Sequence, residues 1–204
     1  GGASKVVAIS AKDRSSILPG GRRGKAFWFD EQSGIFITST YYAAALPAWA
    51  DAFNAGRPAD KFIGAVWDLF RPVATYASAD ADDAAGEGRL EGETNSTFPH
   101  RVFAGKRAKF AGIKASPFMS ELTFNFAKAA IAGESLGADG APDLLAISLS
   151  ANDYVGHTFG PNSREAQDMA LRTDALLADF IAYAEKAVGR TNLTVFVTAD
   201  HGVS

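Results

Sequence analysis

Two Asp/His pairs stand out in this chain of 204 residues: Asp153 with His157, four apart, and Asp200 directly followed by His201. They use two of its three histidines. Carboxylate oxygen and imidazole nitrogen are ligands that suit zinc, and two such pairs amount to half of a two-metal site. A site of that kind serves phosphoester hydrolysis, in which one metal activates the nucleophile and another holds the leaving oxygen. Far upstream, Lys12 and Arg14 are two apart, so in an extended segment both would leave the same face. Two cations there could grip the non-bridging oxygens of a phosphoryl group and stabilise charge on it during transfer. Each motif has a plainer alternative. Asp153 could begin a turn with His157 on the surface, Asp200 and His201 could cap a strand, and a Lys-x-Arg pair in a loop is usually solvated.

The elements that must position these residues can be read from hydrophobic patterning. Lys5 to Ser10 and Leu144 to Leu149 are short apolar runs expected to be buried strands, and Asn192 to Thr198 reads as a third. Ala26 to Phe29 and Ile35 to Thr38 flank Asp30 to Gly34, a pattern for a hairpin with a five-residue loop. Between Lys12 and Gly21 the chain reads as a polar segment ending in a turn. Pro47 is expected to open a short helix, 48 to 55, with Gly56 as its C′ residue. Ser116 and Pro117 supply N-cap and N1 for a helix to about Ala132, with Leu122, Phe126 and Ala129 or Ala130 on one face. The clearest helix is 163 to 188, where Met169, Thr173, Leu176, Leu177, Phe180, Ala184 and Val188 keep helical spacing and Gly189 supplies the stop.

Strand, long helix and strand over the last sixty or so residues form a βαβ unit, which calls for a mostly parallel sheet covered on both faces. The expected class is α/β. In such sheets sites gather beyond the carboxyl ends of the strands, and a right-handed crossover would bring Asp153/His157 and Asp200/His201 to one edge. Gly156, Gly160 and Pro161 argue against a long helix through His157 and suit a loop wrapping an ion. The segment 77 to 97 is small, acidic and expected to be a solvated loop. Asp80, Asp82 and Asp83 lack the spacing and glycine of a calcium loop and are expected in solvent. His100 has no partner pattern and is expected to be structural or exposed.

Composition narrows the classes further. A hydrophobic share of 47% and a charged share of 21% are those of an ordinary globular domain. A net charge of −3 gives no electrostatic case for nucleic acid, no apolar run approaches a membrane span, and the absence of cysteine excludes thiol chemistry. The chain opens on Gly1-Gly2 and stops two residues past Asp-His-Gly. Both ends are therefore expected to lie inside a longer protein.

Ser150-Ala-Asn-Asp153-Tyr-Val-Gly-His157-Thr-Phe-Gly-Pro161, Thr198-Ala-Asp-His-Gly202 and Ser10-Ala-Lys-Asp-Arg14 resemble the alkaline phosphatase superfamily, in its type I phosphodiesterase/nucleotide pyrophosphatase group. Within it the chain is most similar to the bacterial alkaline phosphatases with a threonine nucleophile. Ser33 to Tyr42, Leu46 to Trp49 and Ser116 to Phe118 carry the likeness along most of the length. The resemblance implies that Asp153 and His157 ligate one zinc, Asp200 and His201 a second, and that Lys12 and Arg14 contact the phosphoryl oxygens. It implies a small phosphorylated substrate, a covalent phosphothreonine, and a periplasmic or secreted enzyme. The threonine, an aspartate ligand and an asparagine are expected upstream and a last histidine downstream, so the 204 residues alone are expected to be inert. The whole chain is expected to be part of one catalytic domain, with a covering segment inserted within about 22 to 142. The competing readings are a phosphodiesterase or nucleotide pyrophosphatase of the same fold and a non-catalytic metal-binding domain.

Overall fold

The computed structural model describes residues 3–199, 201 and 202. Asp200 lies outside the described residues. In chain order the elements are β1 (Val6–Ser10), α1 (Asp13–Gly20), β2 (Lys25–Asp30), β3 (Ile35–Ile37), α2 (Ala48–Ala55), β4 (Val66–Trp67), β5 (His100–Arg101), α3 (Pro117–Gly133), β6 (Leu144–Ser148), α4 (Ser150–Phe159) and α5 (Arg164–Val188). The main sheet has the order β3-β2-β1-β6, with β1 parallel to β2 and to β6 and β2 antiparallel to β3. It is an α/β fold with a mostly parallel sheet.

Strand alternation explains how both faces are covered. Val7, Ile9, Phe27 and Phe29 share one face and join the main core with Leu122 and Phe126 of α3. Phe126 stacks on Phe36 with ring centroids 4.1 Å apart and meets Phe27 edge-on at 5.5 Å. Ala8 and Ala26 point the other way, and their small size lets α1 lie close: a Cβ on Gly20 would stand 3.3 Å from that of Ala26. The hairpin forms, but Asp30 pairs with Ile35 and shortens the expected five-residue loop to residues 31–34, with the turn closed by Gly34 N–H to the Asp30 carbonyl at 2.8 Å. Gly34 has φ +74°, and a Cβ there would meet the Phe110 ring at 2.5 Å, so glycine is required on two counts.

Local signals hold for the long helices and fail in their details. Ser163 caps α5, accepting from Ala166 N–H at 3.0 Å. Ser116 precedes α3 as expected, but its hydroxyl donates to the Ile113 carbonyl and leaves the helix end uncapped by a side chain. At the end of α2 Gly56 stays right-handed; Arg57 takes the positive φ, +48°, held by its bonds to the Ser33 carbonyl and the Asp60 carboxylate.

The expected third strand is a correction. Residues 193–199 carry no strand, and Phe196 and Val197 are 88% and 76% exposed. β-branched composition favours a strand only where a neighbour supplies the ladder and side-chain packing. β6 is the edge strand on that side, pairs only with β1 among the described residues, and has Leu144 half exposed. The βαβ unit is therefore not closed within the described residues. The acidic segment is a second correction: 77–97 has no regular structure, yet Leu90 and Ser96 are buried and Asp82 is drawn inward to pair with Arg164 at 3.5 Å.

Candidate active site

Register puts the chemistry at one edge. Ser10 is aligned with Ser148 across β1 and β6 and with Trp28 across β1 and β2, so β1 and β6 end together and β2 runs two residues further at the same edge. Lys12 follows β1, Asp30 and Glu31 close β2, and α4 follows β6, beyond the carboxyl ends where α/β sheets bind ligands. Two local expectations give way here. The polar segment after Lys12 is the helix α1, with Lys12 extended as its N-cap (φ −106°, ψ 141°) and Arg14 inside its first turn, so the two cations do not share a face through strand alternation. The segment through His157 is a helix too. Ala151, Val155 and Phe159 recur every fourth residue and are buried, and that apolar stripe outweighs the roughly 1 kcal/mol cost of a helical glycine at Gly156. Gly160, at φ +99°, and Pro161 stop the helix only after His157.

On α4, Asp153 and His157 lie one turn apart, with Asp153 Oδ1 3.1 Å from His157 Nε2. The same oxygen is 3.9 Å from His201 Nε2, so both motifs approach one carboxylate. The other oxygen, Oδ2, accepts from the Lys12 ammonium. That hydrogen bond, working against partial burial, holds the Asp153 carboxyl below the ordinary carboxylate range. Lys12 and Arg14 both line a cleft of about 260 Å³ whose wall includes Trp28, Asp30, Lys114 and Tyr154. Carboxylate and imidazole are donors that zinc accepts, so the residue types fit the metal. Among the described residues no group of three or more such side chains is arranged to hold an ion.

A separate buried network involves the third histidine. His100 is fully buried, with Nδ1 2.9 Å from Glu93 and Nε2 3.0 Å from Glu165, itself 0% exposed. Burial works to lower the His100 pKa, but hydrogen bonds to the Glu165 and Glu93 carboxylates prevail and raise it. Burial, then the charge of Glu165, also raises the carboxyls of Asp82 and Glu87. One oxygen each of Asp82, Glu87 and Glu165 has no hydrogen-bond partner among the described residues, which for Asp82 and Glu87 acts in the same direction as burial. One turn on, Asp168 is saturated by Trp67 Nε1 at 2.6 Å, Phe70 N–H at 2.7 Å, Tyr76 at 2.5 Å and Arg172 at 2.5 Å. Glu165 and Asp168 escaped sequence reading; their placement one helical turn apart beside Met169 was the available signal.

Every raised group favours the protonated fold, so the stabilisation is complete below the unfolded pKa and is lost as pH rises through the folded one. For His100 the loss begins above the ordinary imidazole value of about 6.5. Denaturation of the protein and of His100→Gln at a series of pH values should show the wild type losing more stability than the variant as pH rises from about 6.5. Parallel curves would contradict this account of the network.

Comparisons with known proteins place the chain in a family and support its fold. The sequence model of the type I phosphodiesterase/nucleotide pyrophosphatase family matches residues 5–204. The chain belongs to this family. The type I phosphodiesterase-family chain is 43% identical over 202 residues to the alkaline phosphatase PhoV of Synechococcus elongatus and 43% identical over 203 residues to the alkaline phosphatase PafA of Elizabethkingia meningoseptica, covering 98% of itself and 37% of each relative. It is 31% identical over 201 residues to the alkaline phosphatase PhoK of a Sphingomonas species, covering 33% of that protein. The crystal structure of wild-type PafA superposes with a TM-score of 0.87 at 44% identity, over 93% of this chain and 37% of that one. The family chain thus spans about a third of the length of these curated relatives.

Two cleft residues of this family chain were not singled out by sequence. Tyr154 stands inside the Asp-x3-His motif and so had a positional signal. Lys114 had none. It reaches the cleft because the turn Ala111–Ile113 folds over the β2 end, where Phe110 N–H donates to the Glu31 carbonyl at 2.9 Å, and Lys114 itself pairs with Glu31 at 2.7 Å.

Proposed function

We propose that this chain is part of a metal-dependent phosphomonoesterase, with Lys12 and Arg14 gripping the phosphoryl group and Asp153, His157, Asp200 and His201 holding two zinc ions. The observation that carries this is the shared cleft: Lys12 and Arg14 line it, and Lys12 touches the carboxylate that His157 and His201 approach. The alkaline phosphatase names of the PhoV and PafA relatives support the same reading. Zinc, when bound, supplies Lewis acidity toward the phosphoryl and leaving-group oxygens.

The remaining work falls to the chain's own groups. Two cations lining one cleft suit a dianionic monoester better than a singly charged diester. A threonine outside these 204 residues would form the bond to phosphorus as the alcohol departs, and water would then release phosphate from that phosphothreonine. Within 22–142, β2, β3 and α3 build the sheet and core, while the stretch carrying Lys114 closes one wall of the cleft, which supports a covering role for part of this segment. The substrate is a small phosphorylated molecule and the setting periplasmic or secreted; among the described residues no helix is long and apolar enough to cross a membrane.

The test is turnover by a full-length protein carrying these residues, loaded with zinc, on an aryl phosphate and on the matching methyl aryl diester. The monoester should be preferred in kcat/KM by roughly a hundredfold or more, the usual worth of one charge-stabilising donor. Preference for the diester would favour a phosphodiesterase or nucleotide pyrophosphatase. No turnover, with one zinc or none per chain by elemental analysis, would mark a non-catalytic metal-binding domain.

A further inference from the structure

Lys12 is an awkward residue for a precise contact. Its ammonium sits on four rotatable bonds and has none of the fork geometry that orients a guanidinium, so its surroundings must fix its position. Asp153 is one such neighbour, but its carboxylate is shared with His157 at 3.1 Å and His201 at 3.9 Å. The second neighbour is the ring of Tyr154, the next residue on α4, with Lys12 Nζ 4.4 Å from the ring centroid. That distance is within cation–π range. This contact does not depend on how Asp153 divides its oxygens.

The same ring also carries Lys114 Nζ, at 4.9 Å from the centroid. Two ammonium groups can share one ring because each has its own counter-charge, Asp153 for Lys12 and Glu31 for Lys114. Lys114 holds the ring to the β2 end, and all three side chains line the cleft that Arg14 enters. Tyr154 itself is half-buried, and α4 is anchored on either side of it by buried Ala151, Val155 and Phe159. The ring thus lies between α4, which starts at the sheet edge where β6 ends, and the stretch carrying Lys114 at the β2 end.

We infer that Tyr154 is a positioning residue whose ring face holds the Lys12 ammonium in the cleft beside Arg14, and that this contact sets part of the preference for dianionic phosphoryl groups. The inference rests on Lys12 acting as a phosphoryl contact. Its magnitude is that of a partly desolvated cation–π pair, roughly threefold to thirtyfold in a rate or equilibrium constant.

The experiment uses the full-length, zinc-loaded protein and reads the ratio of monoester to diester kcat/KM. Tyr154→Leu should lower that ratio roughly threefold to thirtyfold, Tyr154→Phe should recover most of it, and Tyr154→Leu added to Lys12→Ala should lower it no further. Replacing Tyr154 by phenylalanines of increasing ring fluorination keeps the shape while draining the ring of negative charge. The ratio should decline stepwise along that series, which remains decisive if the leucine variant fails to fold. A flat series, a phenylalanine as damaging as leucine, or additive losses with Lys12→Ala would overturn the role of Tyr154 while leaving the phosphoryl clamp standing. An unchanged ratio in Lys12→Ala alone would remove the clamp and this inference together.

Discussion

Replacing Asp153 with alanine in the full-length protein is expected to strip bound zinc and to lower phosphomonoester kcat/KM by more than about a hundredfold. Loss of a mere outer partner of a metal ligand already costs roughly tenfold to a hundredfold, and Asp153 is placed more centrally than that. It accepts from Lys12 through one oxygen and faces both His157 and His201 through the other. Its removal also leaves the Lys12 ammonium without its counter-charge. His157→Ala and His201→Ala should act in the same direction on metal content while sparing the Lys12 contact. Elemental analysis beside steady-state kinetics checks this, and full zinc occupancy with normal turnover in all three variants would refute the ligand assignment.

Lys12→Ala and Arg14→Ala should each lower monoester kcat/KM by roughly a hundredfold or more, about 3 kcal/mol of transition-state stabilisation, with a smaller loss on the diester. The two variants should part company in stability. Lys12 is four-fifths buried and ion-paired to Asp153, so its loss removes a contact and lets the Asp153 carboxyl return toward its ordinary pKa. Arg14 is exposed in the first turn of α1 and has no ion pair among the described residues. Its replacement should leave the thermal midpoint nearly unchanged. Equal kinetic losses on monoester and diester for both variants would show that the cations bind substrate without selecting its charge.

Sequence by itself determined the parts of this protein whose cause is local. The continuous apolar run of β1, the hairpin around Gly34, and the 25-residue helix α5 with Ser163 at one end and Gly189 at the other all follow from side-chain period and turn chemistry. The residues proposed for the site, Lys12, Arg14, Asp153, His157, Asp200 and His201, are picked out from sequence by type, because ligand and clamp chemistry depends on which atoms a side chain carries. Tertiary structure decided the rest. Packing of Ala151, Val155 and Phe159 made a helix where Gly156 argued for a loop, and with no strand beyond β6 among the described residues, Val195, Phe196 and Val197 are exposed and outside any strand where composition argued for one. Lys12 meets Asp153 across 141 residues, and Tyr154 with it, only because β1 and β6 pair in a register that ends both strands at one edge, while Lys114 joins them through the turn that folds over the β2 end. Periodicity reports which face of an element is buried, but not which other element will cover it. Contacts between distant segments are set by strand register and by the fit of the core, which no local window contains.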